Sequence, residues 1–550
     1  MLSILPATSR AQFARESPVW GDWRTWGDQG NGIYHNPVLP GDFSDIDCIR
    51  VDSDYYGVSS TFQYSPGFVI LRSKDLVNWS ILGHVVDDIS VISPAMDWKR
   101  MDRYGRGIWA GAIRYHDDRF WVYFGDPDQG YFMSSAKTPE GPWSPLRQLL
   151  PEKGWDDCCP FWDDDGQAYL VGTNFADGYK IHLFSMSPDG TSLLRQSDKV
   201  LYQSEGSEAN KLYKHNGYYY HLFSEVRNGV RVLMMRRSVN IWGPYEGPRQ
   251  LSEGQPQFNE PNQGGLVQTA SGDWYFLTHH GTGDWSGRIL SLLPVTWRDG
   301  WPIIGKPNTA GLGEMVWSAP VPVPLSPKSL PGSPKPVAVL PNSFSAVPKP
   351  VPASPKTVPQ TSDDFEVPDL RPQWEWNYQP RKDKWSLTER KGWLRLYAFM
   401  PLKDDLLHAG NTLTQRSYRT AASEVVVKLD LQGMKDGQTA GLSHFGAPHY
   451  ATAGIKCVGK IKRLLLTTEH RSIPGPKITG RYIWLRSVWG LDGLSHYSYS
   501  TDGSQFNPIG APYQLRWGSY RGDRLAIFNY NSKTDAGYID IDYFNYKYAD

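Results

Sequence analysis

The sequence predicts an all-β protein, in which a five-bladed β-propeller is followed by a β-sandwich. The composition, with 53 Gly and 42 Pro against 10 Met, favours many short strands and turns over long helices. A hairpin-like phrase recurs along the N-terminal part, and a proline-rich segment separates that part from a second strand-rich part. We therefore expect a propeller over residues 30–318, a linker over 319–360 and a sandwich over 361–550.

The recurring phrase joins a polar turn to an alternating run rich in aromatic residues. It occurs as DSDYYGVSS, HDDRFWVYF, DDDGQAYLVG, HNGYYYHLFS and SGDWYFLTH. Turn residues followed by apolar residues at a period of two predict hairpins. Units of about four strands, repeated roughly every 45–65 residues, are typical of propeller blades. Five blades follow from this pattern, and an irregular β-sandwich with chance hairpin similarity is the alternative.

Residues 320–359 have a different composition, with 13 of the 42 prolines and one aromatic residue. Such a segment has few side chains with which to build a core and is typical of a polyproline-like spacer. The alternative is a long loop inside one domain, which is unusual in a compact body. The C-terminal part then resumes as alternating runs such as SEVVVKLDL and RYIWLRSVWG, which predict a β-sandwich.

Charge and aromatic content indicate the kind of partner. Lys+Arg and Asp+Glu both number 57, and no long run of one sign occurs, so we expect neither nucleic acid nor a membrane as a partner. Aromatic residues make up 13% of the chain, with 23 Trp and 31 Tyr. Amphipathic rings of this kind suit the stacking of flat polar ligands such as sugars. The composition therefore favours an oligosaccharide or polysaccharide substrate.

Cysteine usage and the N-terminus leave the compartment open. The four Cys contain no CxxC pair and predict neither a disulfide framework nor a structural zinc site. No apolar signal region or stretch of about 18 apolar residues is found. The expectation is either a cytoplasmic protein or an exported one whose signal has been removed, and the oligomeric state is open as well.

Candidate acids stand beside the predicted first strands of three blades. A propeller gathers these strands around one axis, so residues far apart in sequence can converge there. Hydrolysis of a glycosidic bond requires one protonated and one ionised carboxyl group, and a third can hold the pKa of the acid up. Taken singly, each acid could instead be a turn or capping residue. The candidates are Asp45 and Asp47, Asp156 and Asp157, and Glu205 and Glu208.

Several segments in order resemble glycoside hydrolase family 43, the β-xylosidase and α-L-arabinofuranosidase group. They include FSDIDCIRVDSDYYGVSSTF, GIWAGAIRYHDDRFWVYF, WDDCCPFWDDDGQAYLV, SEANKLYKHNGYYY and GRILSLLPVTWRDGW. The segments DDFEVPDLRPQWEWNYQP and NTLTQRSY look like the sandwich that accompanies the xylosidase-type members. The resemblance implies an exo-acting, inverting hydrolase that releases terminal β-D-xylose or α-L-arabinofuranose.

The resemblance also implies a role for each acid. Asp45 in FSDID falls on the general base, and Glu208 in SEANKLYK on the general acid. Asp157 falls on the aspartate that keeps the acid protonated and orients it. Where many relatives have proline after the base and after this aspartate, the chain has Ile46 and Cys158, and neither change touches a reacting group.

Five further residues are predicted to bind the substrate. Arg288 matches a family arginine near the terminal sugar, with a surface ion pair as its alternative role. Phe62 and Trp109 resemble aromatic walls of the sugar subsite, although either could serve as packing between blades. Gln263 in PNQGG is a further substrate-binding candidate. Phe445, in GLSHFGAPHY, is the expected contribution of the sandwich to the mouth of the pocket.

The chemistry requires no cofactor, and a structural calcium ion is a possibility implied by the resemblance alone. Some relatives hold calcium on the propeller axis through a histidine, where this chain has Asn262 and Gln263. His279 and His280 lie nearby and could serve instead, or could simply be packed strand residues. Cys158 and its neighbour Cys159 are expected to line an apolar wall, because no His partner for a thiol nucleophile is evident.

Two other functions compete with hydrolysis of pentosides. A non-catalytic propeller would bind carbohydrate without turnover, although all three acidic positions are present. A sialidase-type enzyme would need an arginine cluster for a carboxylated sugar, and the sequence nominates only Arg288. Release of the aglycone and the charge of the substrate distinguish these functions.

Overall fold

The computed structural model describes residues 25–253, 261–281, 284–322 and 357–549. Within these ranges the regular structure consists of β-strands and short 3₁₀ segments, without an α-helix. The same ranges contain no helix that is long and apolar enough to cross a membrane. The 3₁₀ segments are Ile89–Val91, Pro94–Met96, Phe175–Asp177, Lys382–Lys384 and Leu406–His408.

Five four-stranded antiparallel sheets, named I to V in chain order, make up most of the N-terminal unit. Sheet I contains Asp47–Val51, Asp54–Ser59, Gly67–Ser73 and Trp79–Val86. Sheet II contains Gly111–His116, Arg119–Asp126, Gly130–Ala136 and Arg147–Leu150. Sheet III contains Trp155–Trp162, Ala168–Asn174, Lys180–Met186 and Leu193–Gln203. Sheet IV contains Glu208–His215, Tyr218–Arg227, Val230–Ser238 and Glu246–Gln250. Sheet V contains Gly264–Gln268, Trp274–Gly281, Arg288–Arg298 and Trp301–Ile304.

The first strands of successive sheets lie beside one another. The first strand of sheet II contacts those of sheets I and III, and the first strand of sheet III contacts that of sheet IV. The Tyr213 hydroxyl of sheet IV accepts the N–H of Leu266 in sheet V at 2.9 Å. The first strand of sheet V returns to contact that of sheet I. Residues at the beginnings of distant strands are thereby brought together.

Short strands complete the N-terminal unit. Ile33–His35 pairs with both Gly27–Asp28 and Ser318–Pro320, and Lys306–Pro307 pairs with Gly313–Glu314. The strand Ser318–Pro320 therefore includes the first two residues of the predicted linker, 319 and 320. Residues 323–356, most of that linker, lie outside the described residues.

The C-terminal unit has two large antiparallel sheets, as expected of a sandwich. The first has the order Ser472–Ile478, Ile461–Thr468, His449–Val458, Gln438–Gly446, Arg524–Asn531, Leu413–Arg416, Glu375–Asn377, Tyr64–Ser65. The second has the order Trp385–Ser386, Leu394–Tyr397, Tyr538–Tyr548, Ser423–Asp430, Tyr482–Trp489, Leu494–Ser500, Asn507–Pro508, and Tyr513–Gln514 also pairs with Leu494–Ser500. The prediction of an all-β protein with a C-terminal sandwich is confirmed.

One strand of the first sandwich sheet comes from the N-terminal unit. Tyr64–Ser65 lies between the second and third strands of sheet I in sequence, yet it pairs with Glu375–Asn377. A single apolar cluster also runs through both units and includes Phe43, Trp79 and Trp376. The two units therefore share a backbone ladder and a continuous core.

A buried ionic network joins the units as well. The carboxylate of Glu375 accepts hydrogen bonds from Arg416 at 2.9 Å and Arg524 at 2.7 Å, and it lies 3.0 Å from the Nε2 of His84 in sheet I. Burial alone would raise the pKa of Glu375, but these two arginines and His84 hold it well below its ordinary value. Because the network spans both units, it resists their separation.

Candidate active site

Asp45 lies just before the first strand of sheet I and has a φ of 57°, in the left-handed region. Its carboxylate accepts hydrogen bonds from Ser60 Oγ at 2.6 Å and from Arg288, whose two terminal nitrogens lie 2.6 and 3.3 Å away. Its backbone N–H donates to Nδ1 of His279 at 2.8 Å. These contacts from sheets I and V hold the carboxylate in one orientation.

Asp157 lies in the first strand of sheet III, where the pairing register shifts between Asp156 and Cys159. Its φ is 53°, and such an irregularity re-aims a side chain out of the regular alternation. Gln263, just before sheet V, donates Nε2–H to Asp157 Oδ1 at 2.7 Å, and Asn210 of sheet IV donates to the Asp157 carbonyl at 3.2 Å. Asp157 is therefore held by side chains from sheet IV and from the residue just before sheet V.

Glu208 begins the first strand of sheet IV, again beside a register shift, and the following Ala209 has a φ of 64°. Its Oε1 lies 3.0 Å from a terminal nitrogen of Arg231. The side chain of Glu208 is 30% exposed, against 7% for that of Asp45. Glu208 is thus the more accessible of these two carboxylates.

The three carboxylates act on one another electrostatically. Burial raises the pKa of Glu208 to about 7, Arg231 opposes this rise, and the charges of Asp157 and Asp45 add to it. Burial also raises the pKa of Asp157, with Lys211 opposing and Asp45 adding to the effect. Sheets I, III and IV thus bring together the three acids nominated from the sequence. A carboxyl group with a pKa near 7 is suited to donate a proton at neutral pH.

The neighbouring acids have other surroundings. Asp47 is buried, and its Oδ2 accepts from Arg114 at 2.7 Å and from the N–H of Ile113 at 3.0 Å. Burial and the adjacent Asp157 raise the pKa of Asp156 well above its ordinary value. Glu205 is exposed. None of these three makes the contacts that define the sites of Asp45, Asp157 and Glu208.

Two of the predicted substrate-binding residues contact the carboxylates directly. Arg288 places its guanidinium on Asp45, and Gln263 places its amide on Asp157. The Arg288 side chain is 16% exposed, so part of it remains accessible beside the acid. Both residues therefore help to orient the acids.

The aromatic residues differ in how they face the site. Phe62 is 2% exposed and its ring packs against the guanidiniums of Arg521 and Arg288, which favours a packing role. Trp109 is half-buried, and its ring centroid lies 5.9 Å from those of both Phe175 and Tyr520. Trp109 thus belongs to a cluster of rings close to Arg288.

The sandwich reaches this region through a different segment from the one predicted. Phe445 is fully buried and packs with Tyr64 and neighbouring apolar residues, so a sugar does not reach it. The tight turn Gly518–Arg521 contacts the site instead, with the Tyr520 carbonyl 3.3 Å from Arg288, and Tyr520 as a residue is 57% exposed. Positive φ values at Ser519 and Tyr520 shape this turn, and nothing in the local sequence indicates them.

Ser60 and Arg231 contact Asp45 and Glu208, respectively, and neither residue is predicted from the sequence. Ser60 precedes Thr61 in the SSTF segment, and Arg231 follows a turn in sheet IV. Neither lies in a recognisable pattern, because the contacts form only when separate strands meet.

Among the residues considered for calcium, Gln263 and His279 make other contacts, whereas the buried Oδ1 of Asn262 has no hydrogen-bond partner among the described residues. The Nδ1 of His279 accepts the Asp45 N–H, and burial, assisted by Arg288, lowers the pKa of His279 to about 3. The side chain of His280 lies outside the described residues, and Asn262 is half-buried. In the described parts of the chain, no group of three or more His, Cys, Asp or Glu is arranged to hold a metal ion.

Cys158 and Cys159 are both fully buried, and each packs with an apolar cluster. The wall is not purely apolar as predicted, because Arg114 donates to the Cys159 sulfur at 2.7 Å. Burial raises the pKa of both thiols, most strongly that of Cys158. A raised pKa leaves little thiolate at neutral pH, which disfavours nucleophilic chemistry.

Two models of known protein families match the two parts of this chain. The family model described as glycosyl hydrolases family 43 matches residues 34–302. The model described as the beta xylosidase C-terminal concanavalin A-like domain matches residues 362–547. The first match contains all three acids and the second contains most of the sandwich.

Related proteins and structures agree with these matches. A beta-xylosidase of Formosa agariphila is 33% identical over 603 residues, covering 100% of this chain and 96% of that protein. A non-reducing end α-L-arabinofuranosidase of Bacteroides ovatus is 30% identical over 385 residues, covering 66% of this chain and 64% of that protein. A solved bifunctional GH43-CE structure of Bacteroides eggerthii has a TM-score of 0.79 at 29% identity, and the match covers 94% of this chain and 64% of that longer one. This chain belongs to glycosyl hydrolase family 43.

Proposed function

We propose that the protein is an exo-acting, inverting glycoside hydrolase that releases terminal β-D-xylose, α-L-arabinofuranose or both from xylo-oligosaccharides or arabinoxylan. The observation that carries this proposal is the convergence of three mutually interacting carboxylates, among which burial raises the pKa of Glu208 to about 7. The names of the Formosa and Bacteroides ovatus relatives support the two pentose specificities.

In the proposed reaction, Asp45 is the general base and Glu208 the general acid. The Asp45 carboxylate takes a proton from water, and the water oxygen bonds to the anomeric carbon as the glycosidic C–O bond breaks. Glu208 gives its proton to the departing oxygen, so the sugar leaves with inverted configuration. Solvent then returns both groups to their starting protonation states.

Asp157 prepares Glu208 for this role. Its negative charge disfavours ionisation of Glu208, which helps to keep the acid protonated at neutral pH. Gln263 holds Asp157 in place, and Arg288 holds Asp45 while remaining close enough to bond sugar hydroxyl groups.

We infer that sheets I to V are the five blades of one propeller. The contacts that lead from sheet I through sheet V and back to sheet I support this arrangement. On this basis residues 30–318 form the catalytic propeller, 319–360 the connection and 361–550 the sandwich. The meeting of Trp109 with Tyr520 from the sandwich supports a pocket walled by both units, as cleavage at a chain end requires.

A substrate panel tests this function. Chromogenic β-D-xylosides and α-L-arabinofuranosides are incubated with the protein, and the anomer formed first from natural oligosaccharides is identified by NMR. We expect release of single pentoses with inversion. Glu208→Gln should reduce kcat by about 10²–10⁴-fold or more, because the general acid is lost.

Glu205→Gln is the matched control, since Glu205 is exposed and lies three residues earlier in the chain. It should retain close to full activity. Sugar binding without turnover by the wild-type protein would favour a non-catalytic carbohydrate-binding propeller, and a retained anomeric configuration would contradict the assignment of Asp45 as base.

A further inference from the structure

Lys211 is a buried lysine that the proposed reaction does not use. It lies in the first strand of sheet IV, three residues after Glu208, and its relative exposure is 0%. Among the described residues, its Nζ has no hydrogen-bond partner. An ammonium group removed from water without partners is strongly unfavourable unless nearby negative charge compensates it. The surroundings of Lys211 therefore need an explanation.

The side chains around Lys211 come from the first strands of the other sheets. Sheet I contributes Cys48, and sheet III contributes Asp157, Cys158 and Cys159. Asp47 of sheet I and Arg114 of sheet II in turn lie beside Cys48 and Cys159. Tyr213 of its own strand faces the same charges, Asp47 and Arg114. Asp157 also faces Asp45, Asp156, Glu208 and Arg231.

We call the group of side chains around Lys211 the centre of the sheets. Sheet V contributes no side chain at its closest approach to this centre, because the residue there is Gly265. A Cβ atom at Gly265 would lie 2.6 Å from the Cys48 nitrogen and 3.0 Å from Asp47 Oδ1. That oxygen is itself buried without a hydrogen-bond partner among the described residues. The centre thus contains an unpartnered carboxylate oxygen as well as an unpartnered ammonium group.

This set of groups does not fit the calcium ion that the family resemblance raised as a possibility. Calcium takes six to eight oxygen ligands. Here Arg114 occupies one carboxylate oxygen of Asp47, and Lys211 brings a second positive charge that would repel a cation. The three thiols nearby are poor ligands for so hard an ion.

We propose that Lys211 is the resident cation at the centre of the sheets, that it keeps Asp157 ionised, and that it makes a metal ion unnecessary there. This inference rests on the proposed function, in which ionised Asp157 keeps Glu208 protonated. Lys211 acts through Asp157 and does not touch the sugar, so it is a positioning residue.

The electrostatic consequence is specific. Burial favours the neutral form of Asp157, and the positive charge of Lys211 opposes this effect. Without that charge Asp157 would bind a proton at higher pH and would no longer act on Glu208. Activity without the Lys211 charge should therefore fall first on the acidic side of the pH profile.

The experiment compares Lys211→Met with Lys214→Met in the full-length protein. Lys214 lies on the same strand but pairs with Asp163, at the far end from Glu208. We expect Lys211→Met to lower kcat at least tenfold with KM changed less than threefold, and to move the acidic limb of kcat/KM up by about one pH unit. Lys211→Arg should restore the limb toward its wild-type position, and Lys214→Met should leave the limb unchanged.

A second experiment measures calcium dependence and calcium binding of the wild-type protein. It therefore tests the proposal that no metal ion is needed even if Lys211→Met fails to fold. Activity should be the same after dialysis against EDTA and after addition of calcium, with no stoichiometric calcium bound. Calcium-dependent activity, stoichiometric calcium binding, or a Lys211→Met profile identical to wild type would each overturn the proposal. A wild-type protein inactive on every pentoside would instead contradict the proposed function, and calcium binding would still test the role of Lys211.

Discussion

Arg521 of the sandwich forms a buried ion pair with Asp42 of the N-terminal unit, with Nε and Oδ2 2.9 Å apart. Asp42 lies three residues before Asp45 in the chain. The same guanidinium donates to the carbonyl of Ser60 at 3.0 Å, and the Ser60 hydroxyl bonds the Asp45 carboxylate. Arg521 of the sandwich therefore holds two segments that support the proposed general base, one at Asp42 and one at Ser60.

We predict that Arg521→Met destabilises the protein by about 3–5 kcal/mol, because it leaves the Asp42 carboxylate buried without its main partner. Denaturant unfolding followed by tryptophan fluorescence measures this loss. Arg516→Met, on the same loop but exposed, should change stability by less than about 0.5 kcal/mol. Equal effects of the two substitutions would show that the ion pair contributes no special stability.

The Arg521–Asp42 pair also predicts a dependence on pH. Burial would raise the pKa of Asp42, but Arg521 and the N–H of Arg288 hold it below its ordinary value. A carboxyl group with a depressed folded-state pKa stabilises the protein above its unfolded pKa and loses that contribution as the pH falls. The stability difference between wild type and Arg521→Met should therefore shrink in acid, which urea unfolding at several pH values can measure.

Removal of residues 361–550 should abolish activity and soluble folding. The deletion takes away the strand that pairs with Tyr64–Ser65 and exposes the apolar cluster shared by both units. Expression of the shortened chain, followed by gel filtration and an assay with a chromogenic xyloside, tests this. A soluble, fully active fragment would contradict the structural dependence.

Activity should decline as the pH rises through about 7, because Glu208 must be protonated to donate and its pKa is raised to about 7. Arg231→Gln removes a positive charge that favours ionised Glu208, so the alkaline limb of kcat/KM should move up by about one unit. Arg227→Gln is the control, since exposed Arg227 pairs with Glu225 instead. A downward shift in Arg231→Gln would exclude the proposed coupling.

Tyr520→Ala should raise KM several-fold and change kcat less, because an exposed ring beside Trp109 is lost from the wall of the pocket. Thermal stability should change little, since 57% of Tyr520 is exposed. Tyr520→Phe keeps the ring and should resemble wild type if stacking is the source of binding. Steady-state kinetics with xylo-oligosaccharides distinguish these outcomes, and an unchanged KM in Tyr520→Ala would remove the residue from the pocket.

Local sequence patterns were enough to predict the strand-rich architecture, the C-terminal sandwich and the family. Turn residues and alternation act within a few positions, so hairpins such as HNGYYYHLFS can be recognised locally. Asp45, Asp157 and Glu208 could be nominated for the same reason, because each lies in a recognisable segment beside a strand.

The surroundings of those acids could not be predicted from local patterns, because they depend on how distant strands pack together. The segment around Phe445 predicts a place in the pocket, but packing puts this residue in a core. Tyr520 instead contacts Trp109, from a turn that no local pattern indicates. Lys211 gives no sign in sequence that its side chain is fully buried. Local conformational preferences are encoded over a few residues, whereas burial and charge at the site depend on strands hundreds of residues apart coming into contact.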